Sequence, residues 1–190
     1  MSVFFRKQVF LEPPPMSDGE LALVEPSVEV LASQYDAMRA RGIAVNQRDE
    51  MREYTNLRRW LRSSPRGRTP GRSDRSAPQY TFWMQTPKSP KAGFITLRIG
   101  QSEHLRLYIG HIGYQVEEEA RGHHYAARAC LLVYPLARMH GMHELWITCA
   151  PNNKASWRSA ELAHGVYVET IDTPLGYFDI PQRARFHVTL

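Results

Sequence analysis

The residues that first suggest chemistry lie between Gly110 and Ala126, in the run Gly110-His111-Ile112-Gly113-Tyr114-Gln115-Val116-Glu117-Glu118-Glu119-Ala120-Arg121-Gly122-His123-His124-Tyr125-Ala126. Its pattern is a strand, a short acidic loop and the start of a helix flanked by small residues. The amides at a helix start have no intrahelical acceptor and can hold a phosphate or pyrophosphate, and Gly122 lets the backbone come close to such a group. The same local pattern also fits a helix that begins after a glycine and binds nothing. The other reactive residue types point nowhere so definite. Cys130 and Cys149 have no histidine at a spacing that fixes a dyad and read as packed thiols. His123, His124, His140 and His143 sit on separate predicted elements with no acid in register, so no metal site is predicted.

The elements that must position this stretch are read from periodicity. Leu21 to Val24 reads as a strand, and Ser27 caps a helix with Leu31, Tyr35 and Met38 on one side and Gly42 as its stop. A second helix is predicted over Tyr54 to Leu61. Strands are predicted at Tyr80–Met84, Phe94–Ile99 and Leu107–Val116, then a helix to Met139 with Pro135 inside it, where a proline costs about 3 kcal/mol. Leu145–Cys149 reads as a central strand, Lys154–His164 as a helix, and Val166–Ile171 and Phe186–Leu190 as strands. This order predicts an α/β (α+β) fold: a mixed sheet with helices on both faces. Residues 1–190 read as a single domain, with 1–18 an arm or extra strand and 62–78 a flexible arginine-rich loop.

Composition narrows the classes. The chain has 190 residues, 43% hydrophobic and 23% charged, enough apolar material for a core and too much for a disordered chain. The net charge of +5 is local: seven arginines lie from Arg58 to Arg75 against the single acid Asp74. That patch could draw phosphate-bearing partners or be a solvated loop. It lacks the aromatic interleaving of an RNA-binding surface, so a nucleic-acid partner ranks last. No apolar run approaches the roughly 20 residues of a membrane span, and two unpaired cysteines suit a reducing, cytoplasmic compartment.

The Arg121–Ala126 stretch resembles the signature of the Gcn5-related N-acetyltransferase (GNAT) superfamily: Arg or Gln, two residues, Gly, one residue, then Gly or Ala. Here Arg121 opens it, His124 stands where glycine is usual, and Tyr125-Ala126 completes it. Asn153-Lys154-Ala155-Ser156 is similar to the Asn-x-x-Ser at the head of the superfamily's next helix. Glu161 to Gly165 resembles the end of that helix, and Val166-Tyr167-Val168-Glu169 resembles the strand after it. The likeness runs from Glu20 to Leu190 and is weakest over 43–78. It implies an acyl-CoA N-acyltransferase fold with a mostly antiparallel sheet, and acetyl-CoA as co-substrate without a metal. The activity implied is transfer of an acetyl group, by direct attack, to an amine of a small molecule or protein. Oligomeric state stays open: the final strand, or residues 1–11, could pair with a second subunit in a homodimer.

That resemblance assigns cofactor contacts to Tyr114, Gln115, Val116, Arg121, Gly122, His123, His124, Tyr125, Ala126, Asn153 and Ser156. The strand backbone at Tyr114–Val116 would bind pantetheine and polarise the thioester carbonyl. A base must take the amine proton. His111, with an intrinsic pKa near 6.5, is the first candidate, ahead of Glu169 and Tyr167, though it reads equally as a satisfied histidine lining the sheet, while Asp49 and Glu50 could reach an acceptor. Trp60, Trp83 and Trp157 could line an acceptor pocket, Trp157 being the one most suggestive of ligand contact. The tyrosine that many members use to protonate the leaving thiolate would fall at Ala160 and is absent. His124 and Ala160 together leave a second reading open: a coenzyme A-binding regulatory or interaction protein on the same fold.

Overall fold

The computed structural model describes residues 10–71, 77–174 and 180–190. Its strands are β1 (Ala22–Val24), β2 (Arg68–Thr69), β3 (Gln79–Thr86), β4 (Ser89–Arg98), β5 (Ile112–Val116), β6 (Glu144–Cys149), β7 (Val166–Asp172) and β8 (Gln182–Thr189). The helices are α1 (Val28–Ala40), α2 (Gln47–Ser63), α3 (Tyr125–Met139) and α4 (Lys154–Leu162). The strands form one sheet in the order β1-β3-β4-β5-β6-β8-β7, with β2 beside β3. Every pair is antiparallel except β5 with β6. This is the mixed, mostly antiparallel sheet that the sequence predicts.

Alternation along the strands divides the sheet into two faces. Tyr80, Phe82, Ile95, Leu97, Ile112, Ile147 and Phe186 share one face and are buried with Ala129, Cys130, Val133 and Leu136 of α3 and Ala160 of α4. The run of alanines on α3 lets its backbone approach the sheet, while Pro135 lies on its exposed side. Trp83 and Phe94 point to the opposite face and pack with Leu31 and Tyr35 of α1 and Leu57 and Trp60 of α2. Burying these apolar sets contributes roughly 1.5–3 kcal/mol per large side chain. A polar tie reinforces the second layer: Tyr35 donates to Glu53 (2.6 Å), and Lys91 donates to the same carboxylate (2.6 Å).

Three local expectations change. The second helix starts at Gln47 instead of Tyr54, because Asn46 caps it, its Oδ1 accepting from the Arg48 N–H (2.9 Å) and the Asp49 N–H (3.3 Å). The third strand starts at Ile112 instead of Leu107, because Leu105–Ile109 form a π-helical turn. Carbonyls of that turn are taken by side chains instead of a ladder: Tyr108 O accepts from Thr148 Oγ1 (3.1 Å), and Arg106 O from the Arg185 guanidinium (2.9 and 3.1 Å). The arginine-rich segment is also more ordered than a flexible loop. Helix α2 runs to Ser63, Pro65–Gly67 form a 3-10 turn, and β2 comes next; residues 72–76 lie outside the described part.

What fixes that segment is charge. Arg66 bonds Glu25 (2.6 Å) and Glu12, and Arg68 bonds Glu12 (2.9 Å) and Glu25 (3.5 Å). Hydrogen bonds from Arg66 and Arg68 hold the Glu12 carboxyl down at about 2. The N-terminal segment from Phe10 is thereby an arm, anchored further where the Leu11 N–H donates to the Tyr80 hydroxyl (2.6 Å) and where Phe10 meets the Tyr80 ring edge-on. Residues 1–9 of the predicted arm or strand lie outside the described residues. Trypsin digestion under native conditions tests the arrangement. Cleavage after Arg66 and Arg68 is expected to be slow in the wild type and faster in the Glu12→Gln, Glu25→Gln double variant, and equal rates would refute the anchoring role.

Candidate active site

The site begins where two strands part. The parallel strands β5 and β6 pair only at Ile112 and Ile147, helped by the His111 N–H donating to Trp146 O (2.6 Å). On its other side β5 stays in register with β4, from the Arg98 N–H to His111 O bond (2.8 Å) to the Glu117 N–H to Ala92 O bond (2.9 Å). In an antiparallel ladder alternate residues bond the neighbour. Tyr114 and Val116 therefore turn their backbone N–H and C=O away from β4, into the space that β6 has left. Val116 O meets only the Arg121 Nε–H among the described residues, at 3.4 Å.

Helix α3 opens onto the same space. Its first intrahelical bond runs from the Arg128 N–H to His124 O (3.1 Å), and no side chain caps it. The amides of Tyr125, Ala126 and Ala127 consequently lack acceptors among the described residues, which is the donor set that an anion at a helix start requires. Two residues preceding them have positive φ: Gly122 (+89°) and His124 (+57°). Glycine adopts this freely, whereas a histidine there costs about 1 kcal/mol or more. A Cβ at position 122 would meet nothing within 4 Å, so glycine leaves open room beside the loop.

Helix α4 closes the far wall. Asn153 caps it, Oδ1 accepting from the Ser156 N–H (3.0 Å). Tyr114 reaches across from β5, its hydroxyl donating to Ser156 O (3.0 Å) and sharing a hydrogen bond with Ser156 Oγ (2.9 Å). Burial raises the Tyr114 pKa well above the ordinary phenol value, so this hydroxyl keeps its proton at neutral pH. Cys149 and Cys130 are buried, and burial pushes both thiols up as well.

Together these elements enclose a cavity of about 580 Å³. Ten of the eleven predicted cofactor residues line it: Tyr114, Gln115, Val116, Arg121, Gly122, His124, Tyr125, Ala126, Asn153 and Ser156. His123 does not; it lies in a second cavity beside Arg41 and Lys88, with its ring stacked on Tyr125 (5.2 Å). Sequence reasoning missed Ala155, Arg158 and Ser159, which also line the main cavity. Their spacing of three and four residues along α4 is the signal that one helix face is presented. Arg121 and Arg158 give the cleft two cations.

The predicted proton acceptors are scattered. His111 is fully buried. The Trp146 N–H donates to its Nδ1 (2.9 Å), so the proton sits on Nε2, which donates to Gly100 O (2.9 Å). Both ring nitrogens are committed and no solvent reaches them, so the expectation that His111 is the base is corrected: it is a structural histidine. Tyr167 lies on the α4 side of the sheet, stacked on Trp157 (4.9 Å), with its hydroxyl near Thr170 Oγ1 (3.1 Å). Glu169 faces the other way, and its Oε1 accepts from Arg185. Neither lines the cavity. Asp49 and Glu50 pair with Arg52 and Arg39. Trp83 and Trp60 belong to the packed layer under α1 and α2, and Trp157 is held between Tyr167 and Phe186. Among the described residues no group of His, Cys, Asp or Glu could hold a metal, and no helix is long and apolar enough to cross a membrane.

Residues 20–164 match the family described as the Acetyltransferase (GNAT) domain. The chain belongs to the GNAT acetyltransferase family. No curated protein matches it in sequence. Solved structures share the fold at low identity. The microcin C7 self-immunity acetyltransferase, in complex with acetyl-CoA and AMP, aligns with a TM-score of 0.60 at 11% identity, over 91% of this chain and 94% of that one. A Salmonella typhimurium acetyltransferase that modifies the N-terminal serine of ribosomal protein L7/L12 aligns at 0.59 and 13%, over 93% and 98%. A ribosomal L7/L12 α-N-protein acetyltransferase in complex with coenzyme A aligns at 0.59 and 12%, over 93% and 97%.

The structural role of His111 in this GNAT chain has a measurable consequence. Burial holds its pKa below the ordinary 6.5. The unfolded chain therefore takes up the proton first as pH falls, so this contribution is complete above about 6.5 and is lost below it. In urea denaturation, His111→Phe, which leaves the Trp146 N–H and Gly100 O unpaired, is expected to cost at least about 2 kcal/mol at pH 7.5. The part of the stability loss between about pH 6.5 and 5 that belongs to His111 should disappear in the variant. A variant as stable as wild type would reverse the assignment.

Proposed function

We propose that this protein transfers an acetyl group from acetyl-CoA to an amine by direct attack, as a cytoplasmic enzyme. The observation that carries the reading is the cavity at the parting of β5 and β6, where unpaired strand backbone and the uncapped start of α3 meet. When bound, acetyl-CoA supplies an activated acetyl group as a thioester. The chain's own groups then divide the work. The amides of Tyr125, Ala126 and Ala127 hold the pyrophosphate, with Gly122 giving room and Arg121 and Arg158 supplying positive charge. The backbone of Tyr114 and Val116 pairs with the amides of pantetheine as a partial strand, and an N–H of this edge donates to the thioester oxygen as negative charge develops there.

The leaving thiolate has a pKa near that of cysteine, about 8.5, so protonating it is an easy step. With Ala160 at the place of the superfamily's tyrosine, and the buried Tyr114 hydroxyl holding its proton well above the thiolate's pKa, water in the cleft supplies that proton. For the amine proton, with His111 committed to structure, Glu169 and Tyr167 remain, and because the Tyr167 hydroxyl is engaged with Thr170 Oγ1 the first taken is Glu169. Its Oε2 has no partner among the described residues while Arg185 fixes Oε1, and it faces the side of the sheet opposite α3 and α4, so the proton would travel through water. The named relatives act on different amines, and the low identity carries none of their acceptors over to this chain.

A second reading, coenzyme A binding without turnover, is favoured by the strained His124 and by Ala160. Calorimetry with acetyl-CoA followed by thiol release against a panel of amines separates the two. Binding with thiol release supports the enzyme, binding without release supports the second reading, and no binding at millimolar acetyl-CoA removes both. Within the binding experiment, Gly122→Asp is expected to weaken acetyl-CoA at least tenfold, about 1.4 kcal/mol, by setting a carboxylate beside the pyrophosphate. Gly122→Asn should weaken it much less, and raising the salt should narrow the difference. Equal affinities for the two variants would exclude this position for the pyrophosphate.

A further inference from the structure

Among the described residues, Arg98 is a cation without a counter-ion. It ends β4 on the face of Trp83 and Phe94, opposite α3 and α4, since Leu97 and Ile95 take the α3 side. Its guanidinium lies over β5: Nη1 and Nη2 are each 3.3 Å from where a Cβ on Gly113 would stand, and Cζ is 3.7 Å away. Its side chain makes one hydrogen bond to a described residue, from Nη1 to Gly110 O at 3.3 Å. No described carboxylate pairs with it, whereas Arg68, Arg128 and Arg185 are each paired with acids. Burial lowers its pKa to about 10, which still leaves it charged at pH 7. A half-buried guanidinium with one long bond to a carbonyl and no described carboxylate beside it has donors to spare.

The position says what could use it. Gly113 immediately precedes Tyr114, whose backbone opens into the cleft. One strand residue spans about 3.3 Å, so a group held by Arg98 lies within roughly one or two residues' length of the edge assigned above to the thioester. It also lies on the face of the sheet opposite the cleft, so a ligand held there does not compete with the cofactor for space. The absent side chain at Gly113 lets the guanidinium lie down close over β5 while Arg98 stays half-buried, and a planar fork is the natural partner of a carboxylate. We propose that Arg98 anchors a carboxylate of the acceptor, which makes the acceptor a small amino-acid-like molecule whose acidic group stands only a few bonds from its amine. The inference rests on the acetyltransfer reading and names the substrate class of that same site.

The test uses the full-length protein saturated with coenzyme A for binding and with acetyl-CoA for thiol release. The probes are free amino acids and their matching carboxamides. The carboxylate form is expected to bind, or to be turned over at a KM, about 10- to 100-fold better than its carboxamide, the range for a hydrogen bond to a charged group. Arg98→Gln should abolish that discrimination and Arg98→Lys should keep part of it. Acetyl-CoA affinity, unchanged in both, serves as the check on folding. Should Arg98→Gln fail to fold, wild-type discrimination together with its partial loss in Arg98→Lys still decides. Equal handling of carboxylate and carboxamide, discrimination that survives in both variants, or no binding by any amino acid to the saturated protein would overturn the proposal. Failure of acetyl-CoA itself to bind is a separate result, and it would overturn the acetyltransfer reading beneath it.

Discussion

Backbone groups left without partners are costly when buried, and a sheet that opens in its middle must hold the opening at one place. Here the hold is the meeting of β5 and β6. Ile112 and Ile147 pair, the His111 N–H reaches Trp146 O, and the His111 ring accepts from the Trp146 N–H while donating to Gly100 O. Gly110 makes the contact close enough, for a Cβ there would stand 2.9 Å from Trp146 O and 3.0 Å from Thr148 N. At this clamp alone the two strands are one sheet. Above it they diverge, and the backbone of Tyr114 and Val116 is released for a ligand.

The two faces of the sheet inherit different tasks from that opening. On one, the small residues of α3 and α4 let both helices sit close, which brings the bare amides of Tyr125 to Ala127 and the capped head of α4 to the rim of the gap. On the other, α1 and α2 cover only the β3–β4 half, around Trp83 and Phe94. Across β6 and β8 on that second face lie the π-helical turn and Arg185, which also stacks over the Trp146 ring at 4.2 Å. Between these two coverings Arg98 and Gly113 remain. The division sets the cleft and the Arg98 guanidinium on opposite sides of one layer of backbone.

Local rules are broken at the same place. His124 takes a left-handed conformation that glycine would adopt more cheaply, directly before the helix whose amides face the cleft. The packing of Tyr125 against the core, with its hydroxyl donating to Glu20 (2.9 Å), holds the turn in that shape regardless of the residue at 124. Ala160 is buried at the core side of α4, where the backbone of Gly165 crosses closely: a Cβ on Gly165 would lie 2.8 Å from Ala160 O. Position 160 therefore offers no hydroxyl to the cleft.

Element order, the mixed sheet and most of the residues that line the cleft are legible in the chain alone. Hydrophobic period, helix caps and a contiguous motif are short-range signals, and Arg121 to Ala126 act together because they are neighbours in the chain. His123 already exceeds that reach: one residue from His124, it faces the other cavity, because the turn at positive φ separates the two side chains. Roles that depend on partners far apart in sequence emerge only on folding. His111 has the pKa of a base in isolation, but Trp146 and Gly100 occupy both its nitrogens. Arg66 and Arg68 look like a solvated loop until Glu12 and Glu25 are brought against them. Arg98 is one arginine among many in the sequence, and its want of an acid partner among the described residues exists only once the sheet has placed Gly113 beside it. Charge and burial depend on what long-range folding sets next to a side chain, and no local pattern encodes that.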